Sequence, residues 1–462
     1  MIDASAHEIA AAVRSRRASA VAIAEATFAA IAARDGITNA FTARTRDRAL
    51  AAARAVDQAV AAGRDPGPLA GVPYAVKNLC DIAGLPTLAG SKINRSRAPA
   101  ARDAAAIRRL DGAGAILVGA LNMGEYAYDF TGENVHDGPS RNPRDPRRMT
   151  GGSSGGSGAA VAGGLVPIAL GSDTNGSIRV PCSLSGTFGI KPTFGRVSRA
   201  GTFPFVASLD HIGPFARNVA DLALAYDALQ GHDHEDAVSA DRPAEPALAT
   251  FAGGIDGLRI ARGGGYFETM ASPEAADALD RAARALGVTQ AVTVPDVAAA
   301  RAAAFVITAV EGATLHEQRL RAQPDNFDPA TRDRFYAGLL VPGAWYVQAQ
   351  RFRRHFAALM RRLFTEIDVL ITPATPCAAP LLGQEMMELG GSSVPVRANL
   401  GIFTQPFSFV GLPAAVAPIP LPGGLPVGVQ IVAAPWREDR TFAVAAALER
   451  AGVAAAPVAR PA

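Results

Sequence analysis

The chain has 462 residues, 49% of them hydrophobic and 19% charged, so a large buried core is available, on the scale of a large α/β enzyme. Net charge is only +3 and no basic stripe carries interleaved aromatic residues, which excludes direct nucleic-acid contact as an expected role. No uninterrupted apolar run reaches the ~18 residues of a membrane span, Met1-Ile2-Asp3-Ala4-Ser5 lacks a basic-then-apolar leader, and Cys80, Cys182 and Cys377 are too few and scattered for a disulfide framework or zinc knuckle; a soluble, reduced, cytoplasmic protein is expected.

Ser5 to Glu8 has capping-box spacing and opens a helix, followed by an alanine-rich helix over 20–33. A further helix covers 46–62 and stops at Pro66-Gly67-Pro68. Apolar runs predict strands over 72–76, 115–118, 165–170, 258–261, 369–372, 414–418 and 427–432. Helical patterns over 104–110, 219–229, 275–286 and 441–449 lie between or after them. The polar stretch 232–246 reads as a surface loop, and a long helical section, 296–364, separates the two strand-rich portions. No internal repeat is visible. This alternation predicts an α/β fold around a largely buried sheet. It is expected as one domain over 1–462, with N-terminal helices to about 64, a core over 65–230, the helical section, and C-terminal strands and helix over 365–455.

Two glycine-serine loops stand out, Gly151-Gly152-Ser153-Ser154-Gly155-Gly156-Ser157-Gly158 and Gly171-Ser172-Asp173-Thr174-Asn175-Gly176-Ser177-Ile178-Arg179. Flexible linkers have such composition, but apolar segments flank both loops. Glycine permits close backbone approach and positive φ, which a serine nucleophile and its oxyanion-binding amides require. Of 45 basic residues only Lys77, Lys92 and Lys191 are lysine. Arginine cannot lose its proton in a protein and lysine can. Lys92 and Lys191 read as structural cations. Lys77 ends the apolar strand Gly71-Val72-Pro73-Tyr74-Ala75-Val76, where burial favours the neutral amine and hence a base.

Other serine-enzyme templates fail. Gly152 to Gly156 matches G-x-S-x-G, but that elbow needs a strand directly before it, and Arg141 to Arg148 reads as a proline-broken polar loop. No lysine has a serine three residues before it, and neither glycine-rich segment carries Gly-Lys-Ser/Thr. Among seven histidines only His232 and His234 have ligand-like spacing, in an acidic loop that reads as solvated; His211 is a weaker alternative base.

With a lysine strand, a first serine loop, a second loop ending in Ser177, and Gly189-Ile190-Lys191-Pro192-Thr193 beyond it, the chain resembles the amidase signature family over nearly its whole length, most densely from Gly71 to Arg199. The resemblance implies a central mixed β-sheet covered by helices on both faces. It makes Ser177 the nucleophile, Ser153 a bridging serine on a cis peptide, and Lys77 the base. Backbone amides of Thr174, Asn175, Gly176 and Ser177 would hold the oxyanion, and no cofactor or metal is implied. Tyr128, Ser154, Arg179 and Arg397 are candidates for substrate contact, with Ser154 also expected within the relay and Arg179 weighed as an ion pair with Asp173. Three positions depart from the usual pattern: Asn175 replaces a glycine and puts a side chain beside the oxyanion site, Gly124 replaces an aspartate, and Cys182 a small residue.

The runs 173–179, 89–94 and 403–406 look most like the branch that cleaves small carboxylated ureides such as 1-carboxybiuret. That likeness implies a small amide substrate and a small helical partner subunit resembling the C subunit of tRNA-dependent amidotransferases, in a homodimer or heterotetramer. The alternatives are a glutaminase of the glutamyl-tRNA amidotransferase kind (its A component), a broad acylamidase and a non-catalytic assembly subunit.

Overall fold

The computed structural model describes residues 3–250 and 253–460. Among these, fifteen strands form: β1 (Phe41–Arg44), β2 (Pro73–Lys77), β3 (Ile116–Leu121), β4 (Arg141–Asn142), β5 (Asp145–Met149), β6 (Ile168–Asp173), β7 (Phe188–Lys191), β8 (His211–Ala216), β9 (Ile260–Gly263), β10 (Ala291–Val292), β11 (Val369–Pro373), β12 (Met386–Leu389), β13 (Ser392–Pro395), β14 (Ala414–Ile419) and β15 (Val427–Ala433). Eleven make one sheet in the order β1-β3-β2-β6-β8-β7-β14-β15-β11-β9-β10, while β4–β5 and β12–β13 are separate hairpins. β3, β2 and β6 run parallel to one another, as do β11, β9 and β10. The remaining neighbours are antiparallel, so the sheet is mixed, as expected.

Side-chain alternation shows that both faces are covered. In β14, Ala415, Ala417 and Ile419 join the apolar cluster that includes Val219, Leu279 and Phe442 from three helices, while Ala414 and Val416 join the cluster on the other side. β2 is buried at every position, as a central parallel strand must be. At the N-terminus Ser5 and Glu8 cap the helix Ala6–Arg14 reciprocally, and Asp221 accepts from the amides of Ala6 and His7 (2.7 and 3.0 Å).

Two features depart from expectation. β8 lies in the middle of the sheet although Gly213 and Pro214 interrupt its apolar run; Pro214 sits opposite Leu170, where a strand proline is rarely accommodated. The segment 141–149 is the β4–β5 hairpin, not a loop. It stands outside the main sheet, so the G-x-S-x-G match still lacks its structural context. The section 296–364 resolves into the helices Val297–Ala322, Pro329–Leu339 and Gly343–Glu366. The first has the length and apolarity to cross a membrane, but it is interrupted by Arg301 and Glu311 and packs against the other two. The polar loop 232–246 holds no strand or helix, and Asp236 within it pairs with Arg199 (3.0 Å).

Candidate active site

The topology brings the lysine strand to the serine loops. β2 and β6 are parallel neighbours with Val76 opposite Leu170, so both strands end at the same edge, with Lys77 beside the Gly171-Ser172-Asp173 run. Lys77 is fully buried, and its Nζ donates to Ser153 Oγ (2.7 Å) and to Ser172 Oγ (2.9 Å). Burial pushes the Lys77 amine down to about 7, against a smaller opposing pull from Asp173, Asp210 and Asp129. A neutral amine with two hydroxyl partners can accept a proton from one of them. Ser172 is the member of this arrangement that the sequence motifs do not single out. A signal for it exists, since it lies two places from the residue opposite Val76.

The first loop is folded onto the second. The Gly152–Ser153 peptide is cis. A Cβ on Gly151 would come within 3.0 Å of Pro181 backbone atoms, so the chain just after Ser177 lies directly against it. Gly152 closes on Asp129 in the same way: a Cβ there would meet Asp129 Oδ2 at 2.5 Å. Ser154 is buried; its Oγ donates to Ser172 O and accepts from Ser172 N (3.2 and 3.3 Å), which ties the two loops together.

The second loop is anchored on every side. Asp173 Oδ1 and Oδ2 pair with Arg179 Nη2 and Nε at 3.0 Å, and Oδ2 also accepts from Ile178 N. Burial alone would raise the Asp173 pKa; the Arg179 charge outweighs it and holds the carboxyl below the usual carboxylate range. Thr174 Oγ1 donates to Asp210 (2.6 Å), and Thr404 Oγ1 donates to Asn175 O (2.7 Å). Gly176 has φ +141°, and a Cβ there would lie 2.1 Å from Thr404 Oγ1, so only glycine fits. The amide N–H groups of residues 174–177 meet no acceptor among the described residues. They are available to an oxyanion.

Ser177, Thr174 and Asn175 line a narrow cavity together with residues 127–130, Phe205, Phe305, Thr308, Arg334 and Gln405. Arg334 lies across the Tyr128 ring (3.6 Å to the centroid), donates to Tyr128 O (2.7 Å), and is part of the cavity lining. Burial lowers the Arg334 pKa, but arginine remains charged. Tyr128 Oη is buried without a hydrogen-bond partner among the described residues.

Three expected substrate contacts are corrected here. Arg179 is wholly buried and spends its donors on Asp173, Thr404 O, Gln430 Oε1 and Ser408 Oγ, so it braces the loop and does not line the cavity. Arg397 is not part of the cavity lining; it pairs from behind with Asp129 (2.6 Å), which is, and with Glu133 (3.2 Å). Ser154 likewise stands behind the wall. Tyr128 alone of the four lines the cavity, and Arg334 is a cation there that no sequence motif marks. His211 is no free base: Nδ1 meets Asp173 O and Leu209 O, Nε2 meets Lys191 Nζ, and burial drives its pKa well below the usual range. Gly124 has a spatial reason, because a Cβ there would lie 2.5 Å from Asp129 Cβ.

The model of the family described as Amidase matches residues 22–442. Over 390 residues the chain is 54% identical to AtzE, a component of 1-carboxybiuret hydrolase from Pseudomonas sp. (strain ADP), covering 84% of this chain and 85% of that protein. It is 37% identical to the A component of glutamyl-tRNA(Gln) amidotransferase from Chloroflexus aurantiacus, with 84% of each chain covered. A solved structure described as a vestigial protein complex revealing the evolutionary origins of an s-triazine catabolic enzyme superposes with TM-score 0.97 at 52% identity, covering 98% of this chain and 99% of that one. A bacterial aryl acylamidase of the amidase signature family superposes with TM-score 0.90 at 27% identity, covering 100% and 99%.

Proposed function

Because the chain belongs to the amidase family, we propose that it hydrolyses the C–N bond of a small carboxylated amide or ureide, of the 1-carboxybiuret kind for which its Pseudomonas relative is named. The observation that carries this reading is a buried lysine on two serine hydroxyls, one of them Ser172, two residues before Thr174 in the wall of a narrow cavity that Ser177 and Arg334 also line. Ser177 attacks the carbonyl while Ser153 passes its proton to neutral Lys77. The amides of Asn175 to Ser177 take the oxyanion. The relay then returns the proton to the leaving nitrogen, and water, activated by the same relay, releases the acid from the acyl-enzyme. Arg334, with the Tyr128 hydroxyl beside it, receives the substrate carboxylate.

The amidotransferase relatives support a second reading, glutaminase activity, since Arg334 would equally hold the α-carboxylate of glutamine. A small helical partner subunit is also proposed. Exposed Leu340, Trp345 and Val347, at and beyond the turn that joins two helices, support a surface for it. A cytoplasmic location is proposed as well, and three unpaired cysteines support it. An ammonia-release screen of purified protein with carboxybiuret, biuret, allophanate, glutamine and simple aryl amides tests the assignment. Highest kcat/KM on a carboxylated ureide is expected; highest kcat/KM on glutamine transfers the assignment to the second reading.

A further inference from the structure

Asn175 occupies a position that the catalytic scheme leaves unexplained. Its backbone contributes to the oxyanion loop, and the residue also lines the cavity with Ser177 and Thr308. The side chain is fixed: Nδ2 donates to Thr308 Oγ1 (2.7 Å) on the helix Val297–Ala322, and Thr404 holds the backbone carbonyl. That bond turns Oδ1 away from Thr308 and leaves it buried with no partner among the described residues. A buried acceptor left unmet is costly. An acceptor oxygen beside an oxyanion hole repels the developing negative charge, so it cannot serve the carbonyl itself. It can serve an N–H.

We propose that Asn175 Oδ1 accepts a hydrogen bond from an N–H of the substrate's acyl fragment, so that the site selects ureides, with N–H next to the scissile carbonyl, over amides with CH2 at that place. The inference rests on the hydrolase reading above and narrows its substrate class. The leaving nitrogen has to face Ser153 and Lys77 to be protonated, so the N–H that Asn175 meets lies on the retained side of the carbonyl. Arg334 and Tyr128 hold the carboxylate end of the same fragment. A CH2 analogue would fill the same volume and leave Oδ1 unpaired, and sites built around a substrate N–H reject such analogues strongly.

Allophanate and malonamate test this directly, because they differ only in N–H against CH2 between carboxylate and amide. The measurement is the ratio of kcat/KM values, allophanate over malonamate, for the full-length wild type, Asn175→Gly and Thr308→Val. Comparing ratios between proteins cancels the intrinsic reactivity of the two probes. Asn175→Gly should lower the ratio about 10- to 100-fold, the worth of one buried hydrogen bond. Thr308→Val should lower it by a smaller factor, because Asn175 then loses its anchor, and this variant decides the matter should Asn175→Gly fail to fold by circular dichroism. A ratio within threefold of wild type in the folded variants overturns the role of Asn175 while leaving the hydrolase reading intact. Ammonia from neither probe with the wild type overturns both.

Discussion

Replacing Lys77 by methionine tests the electrostatics at the centre of the site, because the buried amine affects stability and activity in the same pH range. Its folded pKa is about 7 against an ordinary 10.5. At about 1.4 kcal/mol per pH unit, keeping this lysine charged inside the fold therefore costs about 5 kcal/mol. Between these two values the unfolded chain holds the proton and the folded chain does not. Unfolding free energy therefore rises with pH through that window, and the contribution is lost as pH falls toward 7. Lys191, also pushed to about 7 by burial, adds a second such slope over the same window. Lys77→Met removes one of the two. Urea unfolding at several pH values between about 7.5 and 9.5 should show the slope reduced by about 1.4 kcal/mol per pH unit relative to wild type. In the same preparations wild-type kcat/KM for ammonia release should climb about tenfold per pH unit below 7 and level off above it. The variant should lose about 10²- to 10⁴-fold, the range for a general base. An unchanged stability slope, or wild-type kcat/KM that is flat from about pH 5.5 to 8, refutes a neutral buried Lys77 as the base.

Three further outcomes follow from the geometry. Gly176→Ala places a Cβ 2.1 Å from Thr404 Oγ1 and should lower kcat by about 10² or more, with a thermal-melt loss worth about 1–3 kcal/mol; near-normal kcat would show that the oxyanion loop is not built as described. Arg334→Met should raise KM for a carboxylated substrate by the worth of a charge-assisted hydrogen bond, about 1.5–3 kcal/mol, and spare a neutral diamide; equal effects on both would remove Arg334 from carboxylate binding. Asp173→Asn leaves Arg179 buried without its counter-charge and should destabilise by about 3–5 kcal/mol in urea. Because the folded Asp173 pKa is depressed, that stabilisation is present in wild type above about pH 4 and declines as the pH falls further.

The parts of the fold and of the site that are legible in the sequence share one property: their chemistry is written in consecutive residues. The apolar run into Lys77, the two glycine-serine loops and the Ser5–Glu8 cap each announce a local backbone requirement, and each forms where the residues call for it. β8 is not legible because Gly213 and Pro214 lower local strand propensity, and only its place between β6 and β7 overrides them. Arg334 is invisible for another reason. It lies on a helix far along the chain, among arginines that look alike, and only the packing of that helix over Tyr128 distinguishes it. Arg179 and Arg397 draw attention as cations near the motifs, but carboxylates close by in the fold have already claimed them.

Burial by itself does not select the base. Lys77 and Lys191 are both fully buried, and both amines are pushed to about 7. Their partners differ in kind. Lys191 donates to the carbonyls of Pro192 and Leu412 and contacts His211 Nε2, whose Nδ1 faces two carbonyls and so carries the ring proton. Every group around Lys191 is therefore an acceptor, and none has a proton to give. Lys77 faces the hydroxyls of Ser153 and Ser172, each able to accept from the amine or to donate to it. Only the second environment lets a neutral amine receive a proton and hand it back. Arg179, equally buried, keeps its charge permanently and serves as the counter-ion of Asp173. In the proposed mechanism these three interior cations thus divide into one brace for the nucleophile loop, one anchor for its neighbouring strands, and one proton carrier, and the partner atoms make the division.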